Sequence, residues 1–167
     1  HTRTRRQRQM CIRDRRVFPS LVIAAFLGVS NACIVLTSSL FVNDVILKST
    51  EDLYFFVSIG FAIVALSGLL TQLLIVDKYS FNPKSLVFIG LLLMSLVFYL
   101  LSNVNQIFSF YILLAIYGFG GGLARPGNVS ILSLSINKNE QGSASGLMGT
   151  VFPCLLYTSD AADEFSC

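Results

Sequence analysis

The sequence predicts an all-α protein, a polytopic transmembrane helix bundle of about five spans. Apolar residues make up 54% of the chain and charged residues 13%, about half the charged share of an ordinary soluble domain. The apolar residues also form several runs near or above the length of about 20 residues that a helix needs to cross a bilayer. A soluble protein with an apolar core is the poorer alternative, and the lipid bilayer is the first partner that the sequence implies.

The charge and the residue inventory exclude several classes of function. The formal net charge is +3, but the excess lies in the first sixteen residues, HTRTRRQRQMCIRDRR, so no nucleic-acid partner is expected. The one histidine is residue 1, and Cys33 and Cys154 show no CxxC or Cys/His spacing. We therefore expect no metal, no cofactor and no catalytic residue, and predict that the protein is not an enzyme. An acidic cluster at Asp44, Glu51 and Asp52 is the nearest catalytic candidate, and a solvated loop explains it better.

Both ends of the chain resemble translated sequencing-adapter read-through. The similar strings are QMCIRDR within residues 1–16 and LLYTSDAADE within residues 154–167. We therefore expect both segments to be foreign to the natural protein and leave them out of the fold prediction. On this interpretation the transmembrane domain covers residues 17–153, and both of its ends are cuts. The alternative for the basic segment is a natural cytoplasmic flank.

The first predicted span, residues 17–43, has its polar side chains on one side. Asn31 and Ser38 stand seven positions apart, and Ser30 and Thr37 do the same, so they lie on neighbouring stripes of one helix face. This face is expected to meet other helices or a cavity. The alternative for each hydroxyl is a hydrogen bond to a carbonyl of its own helix.

The second predicted span covers residues 54–76, and the third covers residues 85–103. In the second, small or polar positions fall in pairs at i,i+4 spacing, namely Ser67 with Thr71 and Gly68 with Gln72. The third is short, and it reaches spanning length when Lys84 at its start snorkels to the interface.

Basic residues of the short loops predict the orientation. Lys78, Lys84 and Lys138 fall on one side of the predicted topology, and Lys48 alone falls on the other. Cytoplasmic loops carry the excess of lysine and arginine, so the first span would begin in the cytoplasm of a multi-pass cell-membrane protein. Asp77 and Lys78 would then lie in a cytoplasmic loop.

The fourth predicted span, residues 106–136, carries one charge among apolar and small residues. Arg125 is its only charged residue. A charged side chain at mid-membrane costs at least about 2.5 kcal/mol, so such residues usually face a bundle interior or a water-filled cavity. Glycine and an internal proline both weaken a helix. We therefore predict that the helix bends at the glycines and the proline near Arg125, namely Gly118, Gly121, Gly122 and Pro126.

The same stretch predicts a substrate cavity. Gly121, Arg125 and Asn128 share a face at i, i+4 and i+7, so the guanidinium and the amide would converge beside the bend. Kinked helices with a buried ionisable group near mid-membrane are how transporters build substrate sites. We predict that Arg125 and Asn128 line this cavity, with Asn31 and Gln72 opposite. The alternative is a structural arginine that snorkels to an interface or bonds carbonyls to hold the kink.

The fifth predicted span, residues 140–157, begins with glycines on one ridge. Gly142, Gly146 and Gly149 recur at spacings of four and three, and small residues at such spacing let helix backbones approach closely. We expect this ridge, and the GxxxG pair of the fourth span, to pack helices within the chain rather than to form a dimer seam. The sequence favours no particular oligomer.

The stretch GFGGGLARPGNVSILSLSINKNEQGSASGLMGT resembles the tenth and eleventh helices of the major facilitator superfamily, in particular its drug:proton antiporter group. The similar elements are Gly121-Gly122, Pro126, the small residues up to Ser135, and Gln141-Gly142 with Gly146 beyond. The family often carries a charged motif in the loop after its eighth helix. Of that motif the chain keeps only Asp77-Lys78 and Lys84.

The resemblance implies that residues 17–153 are the seventh to eleventh helices of a twelve-helix secondary transporter whose N-terminal half is missing. Such transporters move a small-molecule substrate by alternating access of two helical bundles. The group performs efflux by antiport, but its proline-glycine motif belongs to a fifth helix that this stretch does not contain. No intramembrane aspartate or glutamate is present in the five helices, so a coupling proton, if one is used, would be carried by the missing half.

A different function is also compatible with the pattern. A non-transporting membrane subunit or receptor could use the Arg-Pro kink for structure alone. That alternative predicts no second half, and it predicts partners for the five helices in another chain.

Overall fold

Every element assigned in the computed structural model is helical, which confirms the all-α prediction for the residues that it describes. These are residues 17–46, 50–76, 78, 82–104, 106–136, 141, 142, 145, 146, 148 and 149. The two tails lie outside the described residues, and so does most of the fifth predicted span.

Four long helices make up most of this described part. They are α1 (Phe18–Ile46), α2 (Thr50–Thr71), α3 (Pro83–Leu101) and α4 (Ile107–Ser135), and a π-helical turn, Gln72–Val76, continues α2. Each of the four contains a stretch that is long and apolar enough to cross a membrane.

The link between the first two helices is shorter than the predicted spans, residues 17–43 and 54–76, imply. The first helix continues to Ile46 and the second begins at Thr50. The residues after Asp44 are Val45 and Ile46, and such apolar residues can extend a helix that is already formed. The side chains of the acidic cluster in this region lie outside the described residues.

A local signal fixes the start of α3. The side chain of Asn82 accepts a hydrogen bond from the backbone N–H of Lys84 at 3.2 Å. Pro83 follows at the first helical position, where its missing N–H leaves no hydrogen bond unmade. Asparagine is among the best N-cap residues for this reason, and the helix therefore begins before the predicted residue 85.

The chain divides into two compact units. The central unit comprises residues 32–127, with the second part of α1, all of α2 and α3, and the first part of α4. The terminal unit comprises residues 1–31 with residues 128–167.

In the central unit α4 packs on α2 through glycine. A Cβ built on Gly122 would lie 2.7 Å from the carbonyl oxygen of Gly68, and one built on Gly118 would overlap the carbonyl oxygen of Val64. Nearer the start of α4, the hydroxyl of Tyr111 donates to the carbonyl oxygen of Phe56 at 3.1 Å. Contacts advance along both helices in the same direction, so α2 and α4 run parallel.

A second glycine contact joins α4 to α3. A Cβ on Gly90 would lie 2.5 Å from the carbonyl oxygen of Gly120, and one on Gly127 would lie 3.1 Å from the carbonyl oxygen of Pro83. The rings of Phe98 and Tyr117 meet edge to face, with centroids 5.9 Å apart. Contact positions rise on α4 as they fall on α3, so these two helices are antiparallel.

Several hydroxyl groups of the spans form hydrogen bonds within their own helices. The side chains of Ser38, Ser67 and Thr71 donate to carbonyl oxygens three or four residues back in their own helices, at 2.6, 3.1 and 2.7 Å. A hydroxyl that bonds to its own helix can stay in apolar surroundings without a partner from another helix.

The terminal unit joins the beginning of α1 to the end of α4. Val17 and Leu132 form a buried apolar contact, with 1% and 2% of their surfaces exposed. The partly buried hydrophobic residues packed against it are Leu21, Ile136 and Met148.

Candidate functional site

Arg125 lies on the part of α4 that belongs to the central unit, and its side chain is exposed. Gly122, one turn earlier, packs against Gly68 and Thr71 of α2. The glycines therefore bring α4 close to its neighbour, and Arg125 lies about one turn beyond this contact along α4. The arrangement presents a fixed positive charge on the surface of a unit whose helices are of spanning length.

Gln72 lies near the same level as Arg125. It is exposed and begins the π-helical turn that ends α2. Gly122 of α4 lies against Thr71 of α2. Arg125 lies three residues beyond Gly122, and Gln72 lies one residue beyond Thr71. Since α2 and α4 run parallel, the two side chains start within about one turn, roughly 5 Å, of each other along the helix axes. A guanidinium and a primary amide both carry N–H donors, so each of these side chains can bind a ligand that accepts hydrogen bonds.

Asn128 is buried in the terminal unit. Its side chain is 1% exposed, and its Nδ2 donates to the backbone carbonyl oxygen of Ser20 at 3.0 Å. Asn128 and Ser20 both belong to the terminal unit, as does Asn31, whose side chain is half-buried. The four predicted cavity residues thus divide between two units, and the cavity stays a prediction.

The helix around Arg125 is continuous. No interruption occurs in α4 at Pro126, and Gly118, Gly120 and Gly122 lie against other helices of the central unit. Gly121 is buried, and no described atom lies within 4 Å of a Cβ built on it. The predicted bend therefore stays a prediction, while Gly118, Gly120 and Gly122 have packing contacts with neighbouring helices.

The remaining predicted positions are only partly described. No described atom lies within 4 Å of a Cβ on Gly142, Gly146 or Gly149, so their predicted packing is not made with the described part of the chain. Lys78 is exposed in a turn after the π-helical segment, and Asp77 lies outside the described residues.

Three residues with specific contacts were not picked out from the sequence. Gly90 is a single glycine in an apolar helix, and its sequence context gives no sign of a close contact. Its role becomes visible only in the structure, where it lies opposite Gly120. Tyr111 and Ser20 make contacts with residues far away in the sequence, which neither periodicity nor composition indicates.

The described residues contain no group of three or more His, Cys, Asp or Glu side chains that could hold a metal ion. Arg125 supplies a permanent positive charge with several N–H donors, and Gln72 adds an amide that can donate or accept.

Comparison with known proteins gives one family. The family model of the Major Facilitator Superfamily matches residues 2–154. The matched range includes the basic segment at the start, and the foreign origin of that segment stays a prediction. No curated protein and no solved structure matches the chain.

Proposed function

The chain belongs to the Major Facilitator Superfamily, and on that premise we propose how it transports. The family consists of secondary transporters, so this is a multi-pass membrane protein with a small-molecule substrate, and the prediction that it is not an enzyme is confirmed. The proposal concerns the mechanism, the orientation and the residues that meet the substrate.

The protein works by alternating access, with α1 to α4 as the seventh to tenth helices of a twelve-helix transporter. The resemblance of residues 118–150 to the tenth and eleventh helices of the antiporter group supports this placement. It also makes efflux the direction to test first, with a proton as the coupling ion.

The first span begins in the cytoplasm, and Lys78 with Lys84 lies on that same side. The support is the excess of lysine in the loops of that side. A Lys78→Cys variant of the complete protein, in a background without other cysteines, should react with a membrane-impermeant maleimide only from the cytoplasmic side. Labelling from the outside would reverse the orientation.

Arg125 binds the substrate, and Gln72 assists. The observation that supports this most is the exposure of a permanent cation on the otherwise apolar span of α4, near the level of an exposed amide. Charged residues inside membrane spans are costly to place in lipid, and they usually mark substrate or ion pathways. The surface therefore favours a substrate with a carboxylate or another anionic group.

The test is transport by the complete protein reconstituted in lipid vesicles. Labelled acetate, benzoate and succinate serve as anionic probes, and ethidium serves as a cationic one. Arg125→Gln should reduce carboxylate transport about tenfold or more, because a charge-assisted hydrogen bond contributes about 1.5–3 kcal/mol. Arg125→Lys should retain part of the activity, since it keeps the charge but loses the planar guanidinium.

Lys84→Gln is the matched control, because it removes an exposed cation from the start of α3. Its loss of carboxylate transport should be smaller than that of Arg125→Gln. The opposite result would be a wild type that transports ethidium but no carboxylate, and an Arg125→Gln variant that transports ethidium at the same rate. The protein would then still be a transporter, but Arg125 would not belong to its substrate site.

A further inference from the structure

The contact between Asn128 and Ser20 is an inter-helical polar contact inside an apolar region of the terminal unit. Asn128 has 1% of its surface exposed and Ser20 has 0%. The amide Nδ2 of Asn128 donates to the backbone carbonyl oxygen of Ser20, in the first turn of α1, at 3.0 Å. Because a carbonyl oxygen can only accept, this bond fixes which end of the amide points toward α1.

Two oxygen atoms remain unsatisfied at this contact. The Oγ of Ser20 and the Oδ1 of Asn128 are both buried and have no hydrogen-bond partner among the described residues. Other serine hydroxyls of these helices, such as those of Ser38 and Ser135, donate to carbonyl oxygens of their own helices. Ser20 differs from them, and its hydroxyl is left with neither an acceptor nor a donor.

The chemistry of the two atoms selects the ligand. A hydroxyl can donate and accept, and an amide oxygen accepts, so a molecule that accepts from Ser20 and donates to Asn128 satisfies both. Two neutral oxygens are too few for a Ca²⁺ or Mg²⁺ ion, which takes six or more oxygen ligands. The nearby contact of Val17 with Leu132 is apolar and supplies no further ligand.

We propose that Ser20 and Asn128 bind one buried water molecule between the first turn of α1 and the last part of α4. The water accepts a hydrogen bond from Oγ of Ser20 and donates one to Oδ1 of Asn128. Buried waters in proteins typically satisfy polar groups in this manner, with two to four hydrogen bonds each. The two helices are then joined by one direct hydrogen bond, from Asn128 to the carbonyl oxygen of Ser20, and by one water-mediated bridge between the two side chains.

A mechanical consequence follows, and it rests on the proposed transport function. A contact that already includes water can separate by exchanging its protein hydrogen bond for a second water, without leaving any buried group unpaired. The ends of α1 and α4 therefore part easily when the transporter changes conformation.

The first experiment is an experimental structure of the complete protein at a resolution that shows ordered water. Density within hydrogen-bond distance of both Oγ of Ser20 and Oδ1 of Asn128 is expected, and it should disappear in Ser20→Ala. A direct hydrogen bond between the two side-chain oxygens, or no density between them in the wild type, would overturn the proposal.

A stability cycle gives an independent measurement. Ser20→Ala and Asn128→Leu should each lower the thermal unfolding temperature, because each leaves one partner of the site unsatisfied. The double variant should be more stable than the sum of the two losses predicts, since it removes both polar groups together. Ser38→Ala is the control, because its hydroxyl bonds within its own helix, and combining it with Asn128→Leu should give additive losses. Additive losses for Ser20 with Asn128 would contradict the site.

The mechanical consequence has its own readout. The folded double variant should transport more slowly than the wild type, because its dry apolar contact resists separation. A double variant that transports at the wild-type rate, with the water seen in the wild-type structure, would overturn the mechanical role. A wild type that transports nothing would refute the proposed function and leave the water site to the structural test.

Discussion

Gly90 of α3 and Gly120 of α4 each face the other's backbone carbonyl. A Cβ on Gly90 would lie 2.5 Å from the oxygen of Gly120, and one on Gly120 would lie 2.9 Å from the oxygen of Gly90. The two helices thus touch through their main chains. In lipid, where the hydrophobic effect does not drive helices together, such close approach provides dispersion contacts and weak Cα–H···O bonds.

Gly90→Ala should destabilise the protein. Its new methyl group would meet the carbonyl oxygen of Gly120 and, at 2.8 and 2.9 Å, the Cβ and N of Ala124. Two of these three atoms are backbone, and the third is fixed to it, so α3 and α4 must move apart. Overpacking of this kind costs about 1–3 kcal/mol, measured as the loss in free energy of unfolding in mixed micelles.

Gly121→Ala is the control on the facing helix. No described atom lies within 4 Å of its new methyl group, and alanine is favoured over glycine in a helix by up to about 1 kcal/mol. The substitution should leave stability unchanged or raise it. Equal losses for Gly90→Ala and Gly121→Ala would show that glycine flexibility matters rather than the contact.

A second comparison separates rigid from flexible obstacles. The Cβ of Gly122→Ala would lie 2.7 Å from the carbonyl oxygen of Gly68, whereas that of Gly60→Ala would lie 2.8 Å from the terminal Cδ1 of Leu114. A leucine side chain can change rotamer and a helix backbone cannot, so Gly122→Ala should lose more stability by at least about 1 kcal/mol. Thermal unfolding of both variants in the same detergent checks this order, and a reversed order would contradict it.

The spacing of small residues predicted that helices pack closely but not which helices meet. GxxxG in the fourth span indicates a face, and only the tertiary structure shows that this face meets α2 in parallel orientation. The position of Asn128 shows the same limit. Its i+3 relation to Arg125 placed it near the cavity, while its amide bonds Ser20, a residue 108 positions away in the sequence.

The all-α fold was predictable for a simpler reason. Backbone N–H and C=O groups in lipid must be satisfied within α-helices or closed β-barrels, and continuous apolar runs of about 20 residues are typical of helices. The exposed position of Arg125 depends on which helices surround it, and the sequence of one helix carries no information about its neighbours.

Tyr111→Phe should cost stability by removing the hydrogen bond to the carbonyl oxygen of Phe56. Hydrogen bonds between membrane helices contribute about 0.6 kcal/mol on average and up to about 1.7 kcal/mol, so a loss in that range is expected. Tyr99→Phe is the matched control, because Tyr99 is 71% exposed. The free energy of unfolding is measured for both variants under the same conditions. An equal loss in Tyr99→Phe would refute the assignment.

Asn82→Ala should weaken the start of α3. Loss of an N-cap side chain typically costs about 1 kcal/mol, because a backbone N–H of the first turn loses its acceptor. Ser85→Ala, three residues later on an exposed position, removes a hydroxyl without touching the cap. Hydrogen exchange of the amide of Lys84 should accelerate in the first variant only, and equal acceleration in both would exclude the capping role.

The burial of α4 has a consequence for biosynthesis. Half of its spanning stretch is buried inside the protein, against 11% for that of α2, and it contains both an arginine and a proline. An arginine inside a span makes the free energy of its insertion into lipid less favourable. The helices that cover its glycine faces, α2 and α3, precede it in the chain and leave the ribosome first. We therefore expect the insertion of α4 to depend on α2 and α3, which would already be present when α4 leaves the translocon.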